Sequence, residues 1–184
     1  MEISCHAFIA TSLDGFIARV DGSIDWLEQA NLRIPAGEDC GYQSFFNQMD
    51  CLVLGRKSFE TVIKFPQWPY GDKQVFVMSR SGFRPAAGVS VPATVEFSEQ
   101  STTALLTRLE SQGTKNVYID GGSLIQSFLK DDLLTEVTIT RIPILLGNGI
   151  PLFGNLSKDV HLKLIESRHW TFGFVQDRYL ISSR

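Results

Sequence analysis

Three short stretches carry residues suited to holding a phosphate. The first, Gly55-Arg56-Lys57-Ser58, follows the apolar run 51–54. A short apolar run that ends on glycine reads as a buried strand, and residues 58–63 can continue as helix. Such a turn leaves the first N–H groups of the helix pointing outward with positive partial charge, which is a seat for phosphate. Arg56 and Lys57 add two full charges, and an arginine fork can bond phosphate in bidentate fashion. The second stretch, Ser79-Arg80, closes the apolar run 74–78, and the third, Asp120-Gly121-Gly122-Ser123, follows the run 116–119. Paired glycines at a strand-to-helix turn let backbone come close to a ligand, or let the chain bend sharply. Taken singly, each stretch also reads as an ordinary packing turn with solvated charges. Neither the GxGxxG pattern nor the P-loop pattern occurs in them, which disfavours a standard dinucleotide-binding domain and an ATPase.

The elements that must position these turns follow from the hydrophobic pattern. Residues 3–10 read as a first strand and 11–15 as a turn, with 16–18 briefly apolar again. A short helix over 23–32 carries Trp26, and a second helix over 42–49 sets Phe45, Phe46 and Met49 on one side. Strands over 51–54, 74–78 and 116–119 alternate with helices over 58–63, 101–112 and 124–129, the helix at 101–112 having Ser101 or Thr102 as its cap and Gly113 as its stop. The stretch 83–99 is irregular, with weak strand character at 89–91 and 94–97. A long strand over 135–146 precedes a loop at 147–151, and 160–171 with 174–182 form a terminal antiparallel hairpin. The order predicts a single α/β domain over residues 1–184, built on a mostly parallel sheet with an antiparallel end. Ligands bind outside the carboxyl ends of strands in such sheets. The three turns then form one cleft for a phosphate-bearing cofactor, and Arg56 with Arg80 suits an extra phosphate, hence NADPH rather than NADH.

Composition narrows the class. With 184 residues, 43% hydrophobic and 20% charged, the chain has the make-up of a globular protein. A net charge of −3 and the lack of a basic stretch argue against a nucleic-acid partner. No apolar run reaches the length of a membrane span, and residues 1–4 have no leader pattern. Cys5, Cys40 and Cys51 follow no metal-ligand spacing, which points to free thiols and a reducing, cytoplasmic setting. The apolar run 142–153 reads either as internal strand and loop or as the interface of a homodimer.

Taken together, Ala10, Ser12-Leu13-Asp14-Gly15, Leu54-Gly55-Arg56-Lys57-Ser58-Phe59, Val77-Met78-Ser79-Arg80 and Ile119-Asp120-Gly121-Gly122-Ser123 resemble the dihydrofolate reductase superfamily. Within it they resemble the bacterial branch grouped with the reductase domain of riboflavin-biosynthesis enzymes. The resemblance runs along nearly the whole chain. It implies a dihydrofolate-reductase-like fold, with a central, mostly parallel eight-stranded sheet, flanking helices and a terminal hairpin, and it implies NADPH as hydride donor. By position, it implies that Gly55, Arg56, Lys57 and Ser58 hold phosphates and that Ser79 and Arg80 face the 2′-phosphate. Gly121, Gly122 and Ser123, flanked by Ile119 and Leu124, would approach the pyrophosphate. Ala10 would touch the nicotinamide amide, under a loop made by Leu13, Asp14, Gly15 and Ile17.

On the substrate side, the family's ring-binding acid lies sixteen positions before the glycine of the Gly-Arg turn, which is Asp39 here. A carboxylate there can accept two hydrogen bonds from an aminopyrimidine edge and relay a proton. Asp39 equally suits a helix N-cap before Tyr42. Thr140 falls where the family places a threonine bonded to that acid, and Trp26 matches a tryptophan near the loop. The implied activity is hydride transfer to a C=N-type bond of a small-molecule aminopyrimidine or pteridine. The favoured type is 5-amino-6-(5-phosphoribosylamino)uracil reductase. Dihydrofolate reduction and a non-catalytic NADPH-binding module are the alternatives.

Overall fold

The computed structural model describes residues 2–79, 82–83, 85–86 and 88–182. Two strands with buried apolar centres, β3 (Cys51–Gly55) and β6 (Asn116–Asp120), lie side by side inside an eight-stranded sheet. Strands covered on both faces need apolar residues at every position rather than at alternate ones, and residues 51–54 and 117–119 are all buried. The remaining strands are β1 (Ser4–Ser12), β4 (Gln74–Met78), β5 (Val95–Ser98), β7 (Glu136–Ile142), β9 (His161–His169) and β10 (Val175–Ser182). The sheet order is β5-β4-β3-β6-β1-β7-β10-β9. Every pairing from β5 to β7 is parallel, and β10 and β9 are antiparallel. The carboxyl ends of β1, β3, β4, β5, β6 and β7 therefore share one edge, and the fold class is that expected.

The sheet separates two cores. On one face α2 (Tyr42–Asn47) and α3 (Arg56–Val62) pack Phe45, Phe46, Phe59 and Val62 against Phe8, Leu52, Leu54, Val77 and Tyr118. On the other, α4 (Thr102–Ser111) and α5 (Gly122–Lys130) pack Leu105, Leu109, Ile125 and Phe128 against Cys5, Ala7, Val53, Val117 and Ile119. Each fully buried Leu or Phe contributes about 1.5–3 kcal/mol, so these layers fix the helices against the strand ends. A third cluster at the carboxyl edge joins Trp26 and Ala30 of α1 (Asp25–Asn31) to Cys40, Ile142 and Phe174. All three cysteines are buried with free thiols. No helix among the described residues is long and apolar enough to cross a membrane.

Several boundaries differ from those the pattern predicts. β1 runs on to Ser12, because residues 6–12 pair continuously with β7. β7 stops at Ile142 instead of reaching residue 146, since Pro143 follows and has no N–H to give the ladder. Helix α3 begins at Arg56 rather than Ser58. The weak strand signal at 94–97 becomes β5, whereas 89–91 forms none. The loop at 147–151 contains β8 (Ile150–Pro151), which pairs with β2 (Phe16–Ala18) as a separate two-stranded ribbon. The run 142–153 is divided, with Ile142 and Leu152 buried and Leu145 and Phe153 exposed.

Candidate active site

The strand ends bring the phosphate-type turns together. β4, β3 and β6 are neighbours in the sheet, so Ser79, the 55–58 turn and the 120–123 turn lie next to one another along its carboxyl edge. Arg80 lies outside the described residues. Gly121 has φ +107°, and a Cβ built on it would overlap Ser58 Oγ, with Ser58 Cβ at 3.5 Å and the Gly55 backbone nitrogen at 3.7 Å. Only glycine fits this close approach at a positive φ. A Cβ on Gly122 would instead overlap the tip of Ile17, whose Cγ1 is 3.6 Å away.

Capping separates these helices from their neighbour. α4 begins on Ser101, whose hydroxyl accepts the Ala104 N–H at 3.2 Å. α3 and α5 begin on Gly55 and Gly121 with no side-chain cap. Moreover, α3 carries Arg56 and Lys57 in its first turn and no acid there, a placement the helix dipole disfavours unless an anion sits nearby. Arg56 is held by Glu60 at 3.3 Å and by the ring of Phe83, 5.2 Å from its guanidinium carbon. Lys57 and Ser123 are exposed. Ile119 and Leu124 are buried in the core on the α4–α5 face, so they support the turn from beneath.

Strand parity decides what faces the cleft on the other side of the sheet. His6 pairs with Tyr118, Leu54 with Asp120, Ala10 with Thr140, and Gln176 with Thr140. Since alternate residues share a face, Phe8, Ala10, Asp120, Thr140 and Gln176 all lie on the α2–α3 face. Thr140 is buried, and its Oγ1 accepts the Gln176 amide at 2.8 Å, which also bonds the Cys40 carbonyl at 3.0 Å. That fixes the Thr140 side chain, and the implied hydrogen bond to Asp39 is not formed. Asp39 is exposed, and its two carboxylate oxygens accept the Gly41 and Gln43 N–H groups, both at 2.8 Å. This is helix-capping geometry, and α2 starts too late in the chain to carry residue 39 on its inner face. Glu38 is likewise engaged, by the Cys40 N–H at 2.6 Å and Trp170 Nε1 at 3.0 Å. Trp26 is buried against Ala10 and the Cys40–Ile142–Phe174 cluster, and its Nε1 has no partner among the described residues.

An acid at this edge of the sheet is Asp120, at the tip of β6 immediately before Gly121. The Tyr70 hydroxyl lies 3.4 Å from its Oδ2, and Phe46 stacks on both Tyr42 and Tyr70, at 5.7 and 6.3 Å between ring centroids. Burial pushes the Asp120 carboxyl up to about 6, against the lowering pull of the Gly121 N–H and the Tyr70 hydroxyl. The same burial, with the Asp120 charge, pushes the Tyr42, Tyr70 and Tyr118 phenols up, so they stay protonated. Asp120 was visible in the sequence as part of the glycine turn but carried no assignment of its own. The available signal was an acid at a buried strand end beside two glycines.

Comparison with known proteins places the chain and its fold. Residues 5–175 match the sequence profile of the RibD C-terminal domain. The chain belongs to that family. The uncharacterised protein YwjB of Bacillus subtilis (strain 168) is 38% identical over 167 residues, which is 89% of this chain and 90% of YwjB. A crystal structure of a candidate riboflavin biosynthesis protein from Shewanella sp. PV-4 superposes with a TM-score of 0.88 at 37% identity, covering 98% of this chain and 100% of that one. Dihydrofolate reductase from Enterococcus faecalis, solved in complex with NADP(H), shares the fold alone, with a TM-score of 0.62 at 15% identity over 98% of this chain and 97% of that one. This RibD C-terminal domain therefore has the dihydrofolate-reductase-like fold of riboflavin-pathway reductases.

Proposed function

We propose that the protein is an NADPH-dependent reductase that transfers hydride to a C=N-type bond of an aminopyrimidine or pteridine, with 5-amino-6-(5-phosphoribosylamino)uracil reductase-type activity favoured. The observation that carries this reading is the placement of Asp120 one residue before Gly121, which joins a glycine-lined anion seat to an acid able to give up a proton. Bound NADPH supplies the hydride from its nicotinamide carbon. The backbone at Gly121 and Gly122, the first amides of α5, and Arg56, Lys57 and Ser58 hold its phosphates. Ser79 faces the 2′-phosphate. Ala10 supports the nicotinamide, and Ile17, with Leu13, covers the ring and excludes water.

On the substrate side, Tyr42, Phe46 and Tyr70 form an aromatic wall against which a flat heterocycle stacks. As hydride reaches the substrate carbon, Asp120 donates its carboxyl proton to the adjoining nitrogen and regains one from water. Trp26, buried against Ala10, supports the end of β1 from beneath, and Thr140, fixed by Gln176, lies on the same face as Ala10. Asp39 is assigned to capping α2. The same reading places the reaction in the cytoplasm.

The test follows NADPH absorbance with 5-amino-6-(5-phosphoribosylamino)uracil and, separately, with dihydrofolate. Oxidation with the aminopyrimidine supports the proposal. Oxidation with dihydrofolate alone moves the substrate assignment to a pteridine. Tight NADPH binding with neither substrate consumed contradicts the reductase reading and leaves a nucleotide-binding module.

A further inference from the structure

Three phenols feel the charge of Asp120, and each is committed differently. Tyr118, on β6 itself, donates its hydroxyl to the Phe8 carbonyl at 3.0 Å. Tyr42, on α2, stacks on Phe46 and meets the ring of Phe8 edge-on at 5.6 Å between centroids. Tyr70, on the loop between α3 and β4, donates to Asp120 Oδ2, 3.4 Å away. Burial first and the Asp120 charge second hold all three phenols above their ordinary range, so each is a neutral hydroxyl. No Lys, Arg or His is ion-paired with Asp120 among the described residues.

The Tyr70 ring has little freedom. It is 6% exposed, meets Trp68 edge-on at 5.1 Å and stacks with Phe46 at 6.3 Å. Pro69 fixes φ just before it, and its carbonyl accepts the Lys73 N–H at 3.2 Å. The Lys73 ammonium bonds the Met49 carbonyl and lies 5.0 Å from the centre of the Phe46 ring. The loop is thereby tied to the end of α2, and the Tyr70 hydroxyl is aimed at one carboxyl oxygen.

A protonated carboxyl has one O–H and one oxygen that only accepts. With Oδ2 accepting from Tyr70, Oδ1 carries the proton. When the Oδ1–H bond breaks and an N–H bond forms on the substrate, negative charge spreads onto Oδ2 and Tyr70 keeps its own proton. The hydrogen bond then becomes charge-assisted, which makes it shorter and stronger. A contact of 3.4 Å in the ligand-free protein leaves room for that tightening. Such a contact favours the state after proton transfer over the state before it.

We propose that Tyr70 is a positioning residue for the proton step: its hydroxyl holds Asp120 Oδ2, presents Oδ1 as the proton-bearing oxygen, and stabilises the carboxylate left when that proton departs. The link to turnover rests on the reductase reading; the contact between hydroxyl and carboxyl does not. Two readouts on the full chain separate them. The carbon NMR shift of the Asp120 carboxyl against pH, assigned by its absence from Asp120→Asn, reports the contact in the cofactor-free protein. The pH dependence of NADPH oxidation with 5-amino-6-(5-phosphoribosylamino)uracil reports the proton step.

Burial raises the wild-type carboxyl to about 6, and the Gly121 N–H and the Tyr70 hydroxyl hold it back. Tyr70→Phe keeps the ring and removes the donor. The Asp120 midpoint should therefore rise by about half a pH unit to one pH unit, an about threefold to tenfold tighter hold on the proton. The falling limb of turnover should move to higher pH by the same amount. Tyr118→Phe, which loses a hydroxyl bonded elsewhere, should leave the midpoint in place. An unchanged midpoint in Tyr70→Phe would overturn the proposal, and so would an equal shift in Tyr118→Phe, which would make the effect one of packing. A raised midpoint with an unmoved limb of turnover would remove Tyr70 from the proton step. If the wild type oxidises no NADPH, the reductase reading falls, while the midpoint comparison still decides the contact.

Discussion

In the proposed site, the groups assigned to the phosphates are mostly backbone: the glycines and first amides at the ends of β3 and β6, with two basic side chains added. Those assigned to the substrate are side chains, contributed by α1, α2, β6, β7 and the loop at Tyr70, whose direction depends on where a helix starts and which way a strand faces. A site made of backbone is fixed once the turn is fixed. A site made of side chains also needs register, helix start and rotamer. The two halves should therefore respond differently to substitution.

The largest contrast is between the two glycines of one turn. Gly121→Ala puts a Cβ onto Ser58 at a φ of +107°, and backbone strain of this kind costs on the order of 1–3 kcal/mol. NADPH affinity should fall about 100-fold, measured by titration with melting temperature as the control. Gly122→Ala meets only the tip of Ile17, which can rotate, and should lose about threefold or less. Equal losses would break the distinction between a seat made of backbone and one made of side chains.

On the substrate half, Asp120→Asn should lower turnover about 100-fold and leave NADPH affinity intact. The acid form is the active one, so wild-type turnover should fall about tenfold per pH unit above about 6. The stability trend has the same origin. The folded carboxyl titrates near 6 against an ordinary 3.8, so the folded state holds the proton more tightly. The wild type then loses stability as pH rises from about 4 to about 6, by on the order of 2 kcal/mol. Asp120→Asn should lack that slope in melting temperature against pH.

Arg56→Ala should weaken NADPH about tenfold and NADH much less. Equal weakening would remove Arg56 from the 2′-phosphate. The smallest effect is expected at Asp39. With both oxygens on backbone N–H groups, Asp39→Asn should cost about 0.5–1 kcal/mol of stability and change turnover by about twofold at most. A collapse in turnover would return the proton to Asp39 and break the assignment to Asp120.

The halves were also unequally legible in the sequence. β3, β4 and β6 were read within a residue, because a buried apolar run closed by glycine or a polar turn has few alternatives. Their convergence on one edge followed from parallel α/β topology. Asp39 was ambiguous because a carboxylate three residues before a helix can cap it or line a pocket, and the start of α2 at Tyr42 is what separates the two. Asp120 and Thr140 face the same way only because β6 and β7 flank β1 in a particular register, which the residues do not spell out. Residues 13–17 were legible as a loop, but the β2–β8 pairing that ties them to residues 144–152 was hidden for another reason. β2 and β8 are three and two residues long, too short for a periodic signal, and the Leu146 N–H that Asp14 accepts lies 132 residues away.

The most direct test of the account is a titration of the purified protein with NADPH and with NADH. Saturable binding, tighter for NADPH by about tenfold or more, is the predicted result. No binding of either nucleotide, or equal affinity for both, would contradict it, because the cofactor seat proposed at the ends of β3, β4 and β6 is what every later step depends on.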